Sequence, residues 1–185
     1  MIEITNEQIE RVNLILGGIK KAPNKAFYNS INRSLATVRS KSGKMIRETY
    51  RIKQKDITSN QNMKVKRATL SMLEGGIEFA GTVIPLIKFK TTPTQPKQKS
   101  VRVSVLKNET GKKLKSAYIA NLGKYDVGIF ERMTRKRETS MQLYGPSTAH
   151  MMSNIDVYQK VEKVAQETID KRIEHEISRI LNGYV

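Results

Sequence analysis

Apolar positions along this chain keep three different rhythms. In the first, Thr5 and Gln8 have capping-box spacing, and Ile9, Val12, Leu16 and Ile19 follow at helical intervals until Gly17 and Gly18 weaken the run. Pro23 suits the first turn of a second helix, where its missing N–H costs nothing. From there Phe27, Ile31, Leu35, Val38, Met45 and Thr49 stay close to a 3.6-residue period, while Arg33, Arg39, Lys44, Arg47 and Arg51 fall mostly elsewhere. A helix of roughly 28 residues, about 42 Å long, is predicted, with Gly43 as the place for a bend or an interruption.

The second rhythm has a period of two. "KVKRATLSML" and "SVRVSVL" alternate, "VIPLIKFK" is a short apolar run, and "SAYIANL" and "DVGIFERM" follow. Connections too short for helical crossovers predict antiparallel pairing, and Pro85 predicts an edge or a bulge for its strand. The third rhythm is helical again: Val157, Val161, Val164, Thr168, Ile173, Ile177 and Ile180 form a stripe that closes at Asn182 and Gly183. The expected fold class is α+β: N-terminal helices, a mostly antiparallel sheet of about five strands, and a long C-terminal helix. Its expected layout is a single domain over 1–185, helical over 1–60 and sheet over 61–135. Within it, 91–100 is a flexible loop with two prolines and no apolar residue, 136–154 a loop, and 155–183 the last helix.

Composition adds the partners' sign. The 185 residues hold 34 Lys and Arg against 17 Asp and Glu, a net charge of +17, and 38% of them are hydrophobic, enough for a core. The surplus is +7 over 1–60 and +11 over 61–154, and turns to −1 over 155–185. No apolar run approaches the ~18 residues of a membrane span. "MIEITNEQIERVNL" carries acids where a signal peptide would carry positive charge, so the cytoplasm is the expected place of synthesis and residence, and no membrane partner is expected.

A search for chemistry narrows the function. There is no cysteine, hence no disulfide framework, thiolate metal site or cysteine nucleophile. His175 is expected to be a solvated residue of the last helix, and His150 has no partner nearby in sequence. Neither glycine pair, Gly17–Gly18 or Gly75–Gly76, precedes the Lys and Ser or Thr of a phosphate-cradling loop, and no carboxylates have cation-loop spacing. No catalytic, cofactor-binding or metal-ligating residue is therefore expected, and the chain is not read as an enzyme. The remaining candidate is a basic contact surface: Lys112, Lys113 and Lys115 in a hairpin, with Arg132, Arg135, Lys136 and Arg137 as a second patch.

Particular strings go further than statistics. "AFYNSINRSLATVRSKSGKMIRETYRIKQKDI" (26–57) places an Asn-Arg pair in a helix, a later Arg, and a Tyr-x-Ile-Lys-x-x-Asp-Ile ending. "IPLIKFK" (84–90), "VGIFERM" (127–133) and "QLYGPS" (142–147) follow before the terminal helix. In this order, from about residue 20 to the end, the chain resembles the minor tail protein Z family of lambda-like, long-tailed phages and prophages. The resemblance implies a structural tail-completion protein of the virion tail, acting at the end that meets the head. It implies copies of itself as partners, in a ring that is commonly sixfold, beside tail terminator, tail tube or head-tail connector proteins. In "QLYGPS", Gly145 and Pro146 are expected to fix a turn that Leu143 and Tyr144 anchor, with Ser147 closing an assembly motif. The alternative from the charge is a small basic protein making sequence-independent phosphate contacts with nucleic acid.

Overall fold

The structure, a computed structural model, describes residues 4–96, 100–121, 127–134 and 139–183. The fold is α+β. Two compact units divide the chain: Met1–Ser42, Met63–Glu78 and Tyr158–Val185 form the first, and Gly43–Asn62 with Phe79–Val157 the second.

Helix α1 (Asn6–Leu16) starts as its sequence predicts. Gln8 N–H donates to Thr5 Oγ1 at 3.3 Å and Thr5 N–H to Gln8 Oε1 at 2.9 Å, closing the capping box. Of the expected stripe only Val12 and Leu16 are buried; Ile9 and Ile19 are exposed. Helix α2 (Ala22–Thr49) is continuous over 28 residues, with Pro23 in its first turn. Phe27, Ile31, Leu35 and Val38 are buried as the period requires. Beyond Gly43 the buried positions are Ile46 and Tyr50 rather than Met45 and Thr49, because this end of the helix belongs to the second unit's packing. Gly43 does not interrupt the helix. A Cβ there would lie 2.8 Å from Thr58 Cγ2, so glycine lets the turn after α3 (Gln54–Ile57) approach the helix closely.

The first unit's core joins Val12 and Leu16, the α2 stripe from Ala26 to Leu35, and Ile169, Ile173, Ile177 and Ile180 of α5 (Ile155–Leu181). Ala26 and Ser30, both buried, keep the α2 surface shallow where it meets this core. The α5 face also buries Glu176 completely. Its Oε2 accepts from Arg179 Nε (3.0 Å) and Nη2 (2.8 Å) and from Asn29 Nδ2 (3.0 Å), while Arg33 Nη1 stands 3.1 Å from Oε1. A carboxylate out of water is tolerable only with such compensation.

Strand β1 (Met63–Lys66), paired with β2 (Gly76–Phe79), is shorter than the alternation through residue 73 suggests. Side chains compete with the ladder there. Asn32 Nδ2 donates to Ala68 O (3.1 Å) and its Oδ1 accepts from Ala68 N–H (3.0 Å), while Thr69 Oγ1 accepts from Met72 N–H (3.0 Å) and turns the chain.

In the second unit, β3 (Ile84–Pro85) pairs antiparallel with β10 (Tyr144–Gly145), so Pro85 does lie in an edge strand. A 3-10 turn, Leu86–Lys88, leads to β4 (Lys90–Thr92), which pairs with β5 (Val101–Ser104) and through it with β6 (Lys112–Leu114). Strands β7 (Ala117–Ala120), β8 (Gly128–Arg132) and β9 (Ser140–Gln142) form another antiparallel sheet. Val101, Val103, Ala117, Ile119 and Ile129 make the core of this unit. Among the described residues there are thus ten strands in four small sheets instead of one sheet of about five. Each strand is two to five residues long, because turns and polar positions interrupt every apolar run. The segment read as a loop over 136–154 holds β9, β10 and α4 (Thr148–Met152), and Thr91 and Thr92, read as loop, belong to β4.

Candidate functional site

The stretch Leu143–Ser147 lies in the second unit, and each residue has a separate task. Leu143 packs its side chain on the core, donates its N–H to Ile129 O at 2.8 Å, and accepts from Leu86 N–H at 3.0 Å. It therefore couples β8 to the 3-10 turn through one residue. Tyr144 and Gly145 are extended in β10 and not in a turn, and Gly145 does not have a positive φ. Its missing side chain has another reason: a Cβ would lie 2.5 Å from Phe89 Cε2, in the place of a buried ring. Beyond Pro146, Ser147 caps α4, its Oγ accepting from His150 N–H at 3.1 Å. Tyr144 differs from its neighbours. It is 49% exposed, and its hydroxyl donates to Gln142 Oε1 at 3.0 Å, so its ring remains available to another molecule.

The expected basic surface is only partly brought together. Lys112, Lys113 and Lys115 are exposed on and just after β6, and Lys113 stands opposite Arg102 of β5. Arg132 is in the other three-stranded sheet, its guanidinium 5.6 Å from the centre of the Tyr118 ring, a cation–π contact that already engages it. Arg135, Lys136 and Arg137 lie outside the described residues.

A different group of cations shares one concavity of about 390 Å³ in the second unit. Arg51, Lys90, Arg102 and Lys107 line it, with hydroxyls from Thr92 and Ser104 and a single carboxylate, Glu109. The ladder places Lys90 opposite Ser104 and Thr92 opposite Arg102, so one sheet face presents them together. Arg51 is fixed: Nε donates to Leu106 O (3.2 Å) and Nη2 to Lys107 O (2.9 Å). None of these four cations makes an ion pair among the described residues. Alternation in "SVRVSVL" puts Arg102 on the face opposite Val101 and Val103, but nothing local in the sequence joins it to Arg51 or Lys90.

Both histidines are exposed, and among the described residues no cluster of three or more His, Asp or Glu is placed to hold a metal ion. No described helix is long and apolar enough to cross a membrane.

The sequence model of one family, described as prophage minor tail protein Z (GPZ), matches residues 9–185. The chain belongs to this family. It is accordingly a structural component of a phage or prophage tail. The minor tail protein Z match starts inside α1, so that helix, which the quoted strings leave out, lies within the family from Ile9 onward, and so does the segment 91–100. The strings themselves mark scaffold. Asn32 holds Ala68, Arg33 compensates Glu176, Tyr50 and Ile57 are buried, and Asp56 pairs with Lys88 at 3.8 Å. No curated protein and no solved structure matches the chain.

Proposed function

We propose that this chain completes the head-proximal end of a long phage tail and helps join tail to head, as a ring of identical copies. The observation that carries the reading is the family match over 9–185. The described surface supports it. Strands of two or three residues leave ladder edges open for pairing with a neighbour, and a heterologous contact of that kind closes into a ring when its rotation permits. Tyr144 and Met141, each 49% exposed, give such a neighbour apolar surface beside the β9–β10 edge. The flanking partners are the tail terminator or tube on one side and the head-tail connector on the other, and assembly takes place in the host cytoplasm. The role is scaffolding, with no bond made or broken.

Deleting the gene from an inducible prophage tests this directly. Filled heads and free tails should accumulate apart, and purified chain added to that lysate should join them. Joined, infectious particles in the deletion strain would refute the reading.

A further inference from the structure

We propose that the concavity lined by Arg51, Lys90, Arg102 and Lys107 binds backbone phosphates of nucleic acid without regard to sequence. The inference stands on this site alone and does not depend on ring formation or on where in the tail the chain sits.

Four observations lead to it. First, the cations lack counter-charges: one carboxylate, Glu109, faces four cations in the same concavity, and none of the four is ion-paired among the described residues. Clustered like charges repel, so the arrangement is incomplete without an anion. Second, it is organised. Two main-chain carbonyls hold Arg51 through Nε and Nη2, leaving Nη1 as the donor not committed to them, and Thr92 adds a hydroxyl on the same sheet face, whereas Ser104 Oγ already donates to Leu106 O and Glu109 O. A fixed guanidinium flanked by a hydroxyl and flexible ammonium groups suits a phosphate's several oxygens.

Third, the positive charge continues past the concavity. Across the ladder Arg102 and Lys113 stand side by side on neighbouring strands, roughly 4.8 Å apart, and Lys90, two residues before Thr92, lies on the same face. A row of cations matches a linear polyanion better than a single carboxylate, which one or two donors would satisfy. The second unit as a whole holds 19 Lys and Arg against 7 Asp and Glu, so it attracts a polyanion. Fourth, no aromatic side chain among the described residues lines the concavity. Bases have nothing to stack on, so contact is with the backbone and carries no sequence preference.

The test uses the full chain and a fluorescein-labelled duplex DNA, with affinity measured by anisotropy between 50 and 200 mM salt. Lys90→Gln/Arg102→Gln is compared with Lys163→Gln/Lys171→Gln, which removes the same charge from exposed positions of α5. The first pair should weaken binding about tenfold and lower the salt slope by about 2, one for each phosphate no longer neutralised, whereas the second pair should keep the wild-type slope. If melting shows that the first pair has unfolded, Lys90→Gln/Lys107→Gln takes its place. Equal losses in both pairs would mean bulk charge and no site, and absence of binding by wild type would remove the ligand; either overturns the proposal. So would a Lys90→Gln/Arg102→Gln chain that binds DNA normally yet no longer joins tails to heads, since the concavity would then serve acidic protein surface.

Discussion

Two concavities of similar size sit in the two units and treat charge in opposite ways. In the first unit, about 340 Å³ lies between α1 and α5, and most of its charge is engaged from within: Arg11 pairs with Glu174 at 2.8 Å, and the amides of Gln8 and Gln166 both donate to Asp170. In the second, about 390 Å³ carries four cations, none of them in an ion pair among the described residues. The first unit even buries a carboxylate, Glu176, and surrounds it with Arg33, Arg179 and Asn29. Charge serves internal structure in one unit and is left for an outside partner in the other. Net charge alone does not distinguish these uses; the distribution of ion pairs does.

The largest effect should come from breaking the compensation. Arg33→Leu/Arg179→Leu leaves Glu176 buried with Asn29 and, 3.9 Å from Oε1, His175 Nδ1, and loses about 3 kcal/mol, at the low end for a buried pair because Arg33 is half exposed. Thermal melting should show a drop of roughly 6–12 °C. Next is Gly145→Val, which drives a side chain into Phe89 and should cost about 1–3 kcal/mol in a urea titration. Thr5→Ala removes the capping hydroxyl of α1 and should cost about 1 kcal/mol by the same titration. Smallest for stability is Tyr144→Glu, within about 0.5 kcal/mol, because its ring is half in solvent. That variant should nonetheless fail to join tails to heads when added to a deletion lysate. A Tyr144→Glu chain that joins them normally would remove this edge from the assembly surface.

The helical part of this fold was legible because its signals are local. A capping box at Thr5 and Gln8, a proline at the start of α2 and stripes of 3.6-residue period need no knowledge of the rest of the chain. Strands of two to five residues carry too little alternation to fix their ends, and "KVKRATLSML" loses its ladder to Asn32, a residue 36 positions from Ala68. Glu176 shows a related limit: three residues after Ile173 and four before Ile180 it falls on the apolar face of the helix, but nothing local names Arg33 and Asn29 as the groups that compensate it. The Leu143–Ser147 motif was visible as a string, but its meaning came from Phe89 and Ile129, far away in sequence. Likewise Arg51, Lys90 and Arg102 meet only because β4 and β5 pair and Arg51 is tied to the carbonyls beyond β5. The hairpin lysines are legible because they are adjacent in sequence, and the concavity is not, because its residues come from separate segments.

The most direct test of the tail reading is the position of this chain on intact particles. Electron microscopy of induced particles labelled with antibody to the chain should show a single site at the junction of head and tail. Label along the shaft, at the distal tip, or absent from purified particles would contradict it.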